Sequence, residues 1–138
     1  VYDADGLDLG SFVSYQERQM TSFNLDEQVF VTYNHVSGGV NSISILPKVL
    51  TIYFAGPDCL GTPFVGATSA ITFPRQQVYS SSLSAPQYKI NLSSSYAFRT
   101  FVSKLTSSGC SPTTDGVESL ELTSISLSSS PAWPLTVR

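Results

Sequence analysis

Apolar residues in this chain alternate with polar ones, at a period of two, in many short segments. In one of them Val29, Val31 and Tyr33 share one parity, and Phe30 and Thr32 hold the other. A period of two is typical of β-strands that bury one face, and helical spacing hardly occurs. The segments with this pattern are LDLGSFVSYQ, EQVFVTYNH, VNSISIL, VLTIYF, SAITF, QYKINL, AFRTFVSKL and VESLELTSIS. The pattern predicts an all-β fold.

Turn residues separate these segments at intervals of about eight to twelve residues, as in sandwiches and barrels. The turn-like stretches are ADG, VSGG, LPK, AGPDCLGTP and SSGCSPTTDG. A chain of 138 residues suits one domain with a sizeable core. We expect residues 1–138 to form a single antiparallel β-sandwich of the jelly-roll type.

Two segments depart from simple alternation. VLTIYF is apolar on both faces and is expected to be a central strand that is buried on both sides. In AFRTFVSKL, Phe98 and Phe101 have opposite parity, which leaves a strand or one short helix. We favour the strand.

Composition narrows the class of function. Charged residues make up 12% of the chain, and the net charge is −3. Phosphate backbones require clustered Lys and Arg, whereas the seven here are scattered, so we expect no nucleic-acid partner. No apolar run approaches the roughly 20 residues of a membrane span. The sequence opens on a strand-like segment, and we expect a mature protein or a piece of a longer one.

The two cysteines, Cys59 and Cys110, both lie in turn-like surroundings, PDCLG and SSGCSP. Turn cysteines beside Gly and Pro are poor core residues, and two cannot make a zinc site with one distant histidine. We predict a disulfide between them. Two unrelated free thiols are the alternative.

Residues suited to catalysis are few and dispersed. His35 is the only histidine, and its segment predicts a surface strand end rather than a general base. Glu118 and Glu121 differ by an odd number, so a regular strand places them on opposite faces. No phosphate-binding loop, GxSxG or HExxH motif is present. We expect no enzymatic activity and no cofactor.

The opening DADGLD allows two interpretations. Asp3, Asp5 and Asp8 could supply carboxylates to calcium, but only fragments of a known calcium loop are present. The dipeptide Asp5-Gly6 is a common turn of a β-hairpin, and this is the interpretation that we prefer. We therefore expect no metal site.

Aromatic residues are the remaining candidates for binding. Rigid rings with a polar tip suit a stacking surface for a sugar or a protein partner. The residues that we select for such a surface are Tyr79, Tyr88, Tyr96 and Trp133. The alternative is that most of these rings belong to the core or to cross-strand pairs.

Three stretches carry a resemblance to a known family: VYDADGLDLG, LTIYFAGPDCLGTPFV and SSSPAWPLTVR. Together they resemble bacterial all-β domains at the C-terminal end of collagen-like or tail-fibre-like surface proteins. One departure is Ala132-Trp133-Pro134, where the family has Pro-Pro-Phe. The resemblance implies a terminal fibre head that self-associates as a homo-oligomer, as in a trimer. It implies no catalytic or ligand residue.

These observations lead to one expected function and two alternatives. We expect a secreted or cell-surface module, as on a phage-type fibre, that oligomerises or binds a surface glycan or a protein. A repeating filament subunit, joined by strand addition at an exposed edge, is the first alternative. A hydrolase with a dispersed site is the second.

Overall fold

A computed structural model of the chain describes residues 2, 6–16, 19–35, 43–66 and 76–127. Over these ranges the regular structure is thirteen strands and one turn of 3-10 helix, Pro57–Cys59. The predicted all-β class is therefore confirmed. No helix within the described ranges has the length and apolarity of a membrane span.

The strands are numbered in chain order. They are β1 (Ser11–Gln16), β2 (Gln19–Asn24), β3 (Val29–His35), β4 (Ile43–Ile45), β5 (Lys48–Val49), β6 (Ile52–Phe54), β7 (Pro63–Gly66), β8 (Tyr79–Ser80), β9 (Tyr88–Ile90), β10 (Ala97–Thr100), β11 (Ser103–Thr106), β12 (Gly109–Pro112) and β13 (Gly116–Ser124). Every described strand pair is antiparallel, as predicted, except β5 with β8, which is parallel.

The chain divides into two compact units. Unit 1 takes Val1–Pro47 and Ser126–Arg138, and unit 2 takes Lys48–Ile125. That residues 1–138 fold as one domain stays a prediction.

Unit 1 contains a four-stranded antiparallel sheet in the order β1-β2-β3-β4. The alternation in β3 has its expected result, since Val29, Val31 and Tyr33 are all buried. Strand β2 was missed from the sequence because QMTSFN has little apolar alternation. Its Ser22 is nevertheless buried, and its hydroxyl donates a 2.6 Å hydrogen bond to the carbonyl of Leu9.

Gly10 precedes β1 and lies close to the backbone of β2. Its φ is +103°, and a side chain there would collide with the backbone of Phe23. Glycine therefore lets β1 lie against β2. Leu9 is buried as the alternation predicts, whereas Leu7 and Phe12 are exposed.

Unit 2 contains a nine-stranded sheet that packs around a hydrophobic core. The strand order is β12-β11-β6-β7-β13-β9-β8-β5, and β10 pairs with β13. Some of the core side chains come from β6, β7 and β13, and the others come from β8 and β9. The first group is Ile52, Phe54, Val65, Leu120 and Leu122, and the second is Tyr79, Tyr88 and Ile90. This is the sandwich-like packing that the sequence predicts.

One part of this sheet curls on itself. Only Phe101 and Val102 separate β10, which pairs with β13, from β11, which pairs with β6. In a flat sheet β10 and β11 would be four strand spacings apart, about 19 Å, and two residues cannot cover that distance. The sheet therefore curls until β10 and β11, joined at a bend, come next to each other. Hydrogen bonds from the amides of Phe101 and Val102 to Asp115 and Phe54 complete the closure.

The curl encloses an aromatic cluster. The ring of Phe101 lies 5.2 Å from that of Tyr53 and 5.4 Å from that of Phe64. Phe101 is 2% exposed and Phe98 is 64% exposed. The opposite parity of Phe98 and Phe101, which was compatible with a short helix, therefore comes from a strand that buries one ring and exposes the other. AFRTFVSKL is strand, not helix.

Two strands fall in stretches that the sequence assigns to turns. β12 lies within SSGCSPTTDG and forms a hairpin with β11 across Ser107 and Ser108. β7 begins at Pro63, the end of AGPDCLGTP. Hydrogen bonds to neighbouring strands outweigh the local preference of Gly, Ser and Pro for turns at these positions. The predicted strand SAITF lies outside the described residues.

Tyr88 gives the fold a pH dependence. Burial raises the pKa of its hydroxyl above the ordinary value of 10.0. Above pH 10 the unfolded chain therefore loses this proton before the folded protein does, and the free energy of unfolding falls as the pH rises. We expect denaturant titrations below and above pH 10 to show a smaller fall for Tyr88→Phe than for the wild type. Equal falls in the two proteins would contradict the assignment to Tyr88.

Candidate functional site

Two of the tyrosines selected from the sequence are core residues. Tyr79 and Tyr88 are directly opposed on β8 and β9, and both are buried in the core of unit 2. A ring with no exposed face cannot stack on a ligand. The structure therefore corrects the prediction for these two residues and favours the alternative, a cross-strand core pair.

The other two selected residues are Tyr96 and Trp133. Tyr96 is exposed and lies immediately before β10. Trp133 lies outside the described residues, as do Asp3 and Asp5 of the calcium alternative. The remaining carboxylate of that alternative, Asp8, accepts a 2.9 Å hydrogen bond from the amide of Gly10.

The candidate catalytic residues lie on strands β3 and β13. His35 ends β3, in unit 1, as the sequence predicts. On β13, Glu118 pairs with Phe98, and Glu121 pairs with Phe64. The odd spacing therefore places the two carboxylates on opposite faces. Within the described ranges, no group of three or more His, Cys, Asp and Glu residues could hold a metal ion.

Exposed positions alternate with half-buried or buried ones from Tyr96 to Ser103. The exposed positions are Tyr96, Phe98, Thr100 and Val102, which we call the exposed stripe. At about 3.3 Å per residue, the stripe is about 20 Å long. It contains two aromatic rings, one hydroxyl and one aliphatic side chain, and no charge. A large ring that stays 64% exposed, as Phe98 does, is the most conspicuous feature of this surface.

The ring of Phe98 lies close to Gly116. A Cβ added at Gly116, on the neighbouring strand β13, would lie 2.5 Å from Cζ of Phe98. The absence of a side chain at Gly116 therefore makes room for the ring against the sheet. The outer end of the ring thus lies next to Gly116, while most of the side chain stays exposed.

The residue next to Phe98 fixes the strand. The guanidinium of Arg99 lies 4.8 Å from the centre of the Phe64 ring. Its Nη1 donates to the carbonyl and to the hydroxyl of Ser119, at 2.9 and 3.1 Å. The Ser119 hydroxyl in turn lies 3.2 Å from the carbonyl of Ala97. These contacts join β10 to β13, so the exposed stripe stands on a rigid part of the sheet.

The stripe ends at a pocket beside a disulfide. Cys59 and Cys110 are bonded, with their Cα atoms 6.0 Å apart, and the predicted pairing is confirmed. Cys59 ends the Pro57–Cys59 turn, and Cys110 lies in edge strand β12 rather than in a turn. Disulfides of this kind are typical of oxidising compartments.

The pocket has a volume of about 190 Å³. It is lined by Pro57, Asp58, Val102, Ser103, Cys110, Ser111 and Pro112. Sequence reasoning missed it, because Pro57 and Asp58 are distant in the chain from the β11–β12 hairpin that forms the other walls. The disulfide was the one signal that joined two of them.

A comparison with models of protein families, with curated proteins and with solved structures finds no match to this chain. The resemblance to fibre-end domains stays a prediction.

Proposed function

We propose that this chain is a non-catalytic interaction module of a secreted or surface fibre, and that it binds its ligand through the exposed stripe. The observation that carries the proposal is the pair of exposed rings, Tyr96 and Phe98, on a strand fixed by Arg99. Solvent-exposed aromatic rings on a rigid support are the usual anchors of binding surfaces. The disulfide supports the extracellular setting.

A carbohydrate is the ligand class that suits this surface best. The four side chains of the stripe carry no charge, and the carboxylate beside them, Glu118 opposite Phe98 on β13, disfavours an anionic partner. The flat face of an aromatic ring matches the apolar C–H face of a sugar, and Thr100 adds a hydroxyl that can donate and accept hydrogen bonds. A homo-oligomeric head, as in a trimer, would present several copies of the stripe and raise the avidity for a repeating glycan.

The proposal is tested with a glycan array and one variant. We expect the wild-type protein to capture neutral oligosaccharides, and Phe98→Ala to weaken the capture about 30-fold, the effect of losing a hot spot of about 2 kcal/mol. Leu83→Ala is the matched control, because Leu83 is 63% exposed but lies outside the stripe. Equal binding by both variants and the wild type would refute the role of Phe98.

A specific observation favours a second function, self-assembly through unit 1. Within the described ranges β1 has a neighbouring strand on one side only. Its described side chains, from Ser11 to Tyr15, are all exposed, and they include Phe12 and Val13. A free edge that is apolar and uncharged is a surface for strand addition. Sedimentation separates the two functions, because a fibre head forms a small closed oligomer, whereas a filament subunit grows with concentration.

A further inference from the structure

The pocket beside the disulfide has an unusual backbone in one of its walls. Asp58 and Cys59 follow one another in the left-handed region, with φ of 58° and 55°. Residues other than glycine lose about 1–3 kcal/mol each in such conformations, and they persist only where the surroundings hold them. The turn therefore has a conformation that local preference alone does not provide.

Two interactions hold this turn in place. The disulfide joins Cys59 to β12. The buried hydroxyl of Ser103 donates to the carbonyl of Gly56 at 2.6 Å and accepts from the amide of Cys59 at 2.9 Å. The backbone of Asp58 is fixed between these two points, at the wall of the pocket.

Asp58 and Ser111 provide the polar chemistry of the pocket. Neither side chain makes a hydrogen bond or an ion pair with any residue that the structure describes, whereas the nearby Asp115 pairs with Lys104 at 3.6 Å. A carboxylate only accepts hydrogen bonds, so Asp58 selects a ligand that donates them, and it repels anions. The Ser111 hydroxyl can donate or accept.

The rest of the lining is apolar apart from Ser103, whose hydroxyl is bonded to the turn. Pro57 and Pro112 contribute rings, and Val102 contributes its methyl groups. A volume of about 190 Å³ is below the roughly 300–1,000 Å³ of sites for drug-sized ligands, and it suits one small ring. A single pyranose combines hydroxyl donors with apolar C–H faces, which are the two kinds of group that this lining can contact.

We propose that this pocket binds one sugar residue of a neutral glycan, with hydroxyl groups of the sugar donating to the carboxylate of Asp58. The inference rests on the proposed function in one respect: Val102 belongs both to the exposed stripe and to the pocket. A glycan that lies along the aromatic rings would thus place a terminal or branching residue in the pocket.

The test uses the whole chain, labelled with ¹⁵N, and the neutral methyl glycosides of glucose, galactose, mannose and N-acetylglucosamine as probes. We expect at least one glycoside to shift the amide signals of Asp58, Val102 and Ser111. Asp58→Asn should weaken that glycoside at least tenfold, because a hydrogen bond to a charged acceptor is replaced by one to a neutral acceptor. Asn also tolerates the left-handed conformation, so the turn keeps its shape in this variant.

Asp115→Asn is the matched control, since it removes a nearby carboxylate that does not line the pocket. It should leave glycoside binding unchanged. If no glycoside shifts these amides, or if Asp58→Asn binds as well as the wild type, the proposal is wrong. Tighter binding of methylammonium than of every glycoside would also overturn it, because the pocket would then be a cation site.

The two proposals fail separately. If the capture of array glycans depends on Phe98 but no glycoside shifts the amide of Asp58, only the proposal for the pocket is wrong. If a glycoside shifts the amide of Asp58 but Phe98→Ala leaves array binding unchanged, the proposal for the exposed stripe is wrong and the proposal for the pocket stands.

Discussion

Removal of the Cys59–Cys110 disulfide is expected to lower the free energy of unfolding by about 4 kcal/mol. The bond joins residues 51 positions apart, and closing a loop of that length restricts the unfolded chain by this amount in the loop-entropy model. In the folded protein the bond also ties a left-handed turn to edge strand β12. Urea denaturation of the wild type and of the Cys59→Ala/Cys110→Ala double variant measures the difference.

A reductant provides the control for this experiment. It should destabilise the wild type, whose Cys110 is exposed, and leave the double variant unchanged. A difference between the two proteins below about 1 kcal/mol would show that the bond hardly constrains the unfolded chain, and it would contradict this prediction.

Leu120→Ala is expected to lower the free energy of unfolding by about 2–5 kcal/mol, because it leaves a cavity in the core of unit 2. Leu120 is fully buried at the middle of β13 and pairs with Val65. β13 hydrogen-bonds to β7, β9 and β10, so few neighbours can move to fill the space. Thermal and urea denaturation both measure the loss.

Leu83→Ala is the control for Leu120→Ala, since it removes the same atoms from a side chain that is 63% exposed. Its effect should stay within about 0.5 kcal/mol. Similar losses in the two variants would mean that the core does not lie where the structure places it.

Much of the strand content could be predicted from the sequence, because a buried face imposes a period of two. β3 is the clearest case, with Val29, Val31 and Tyr33 buried as their spacing requires. β2 and β12 could not be found in this way. Ser22 is buried through a hydrogen bond rather than through an apolar side chain, and β12 is an edge strand of Gly, Cys, Ser and Pro.

The candidate site was predicted only in part. Tyr96 was selected and is exposed, whereas Tyr79 and Tyr88 are core residues. The sequence shows that a ring alternates with its neighbours, but it does not show which face of the strand meets the core. Phe98 was therefore overlooked as a binding residue, although its opposite parity to Phe101 was the signal that one of the two rings points outward.

The pocket could not be predicted from local patterns. Asp58 and Ser111 come together only because β11 pairs with β6 as well as with its hairpin partner β12, and the pairing with β6 is a long-range contact. The left-handed conformation of Asp58 is likewise a product of its surroundings, since the disulfide and Ser103 hold it.

The central claim is that ligand binds along residues 96–102 of unit 2. Amide chemical-shift mapping of the ¹⁵N-labelled protein, with the oligosaccharide captured most strongly on the array, tests it most directly. We expect the largest shifts at Tyr96, Phe98, Thr100 and Val102, and we expect Phe98→Ala to abolish them at the same ligand concentration. Shifts confined to β1, or an array on which no oligosaccharide is captured, would contradict it.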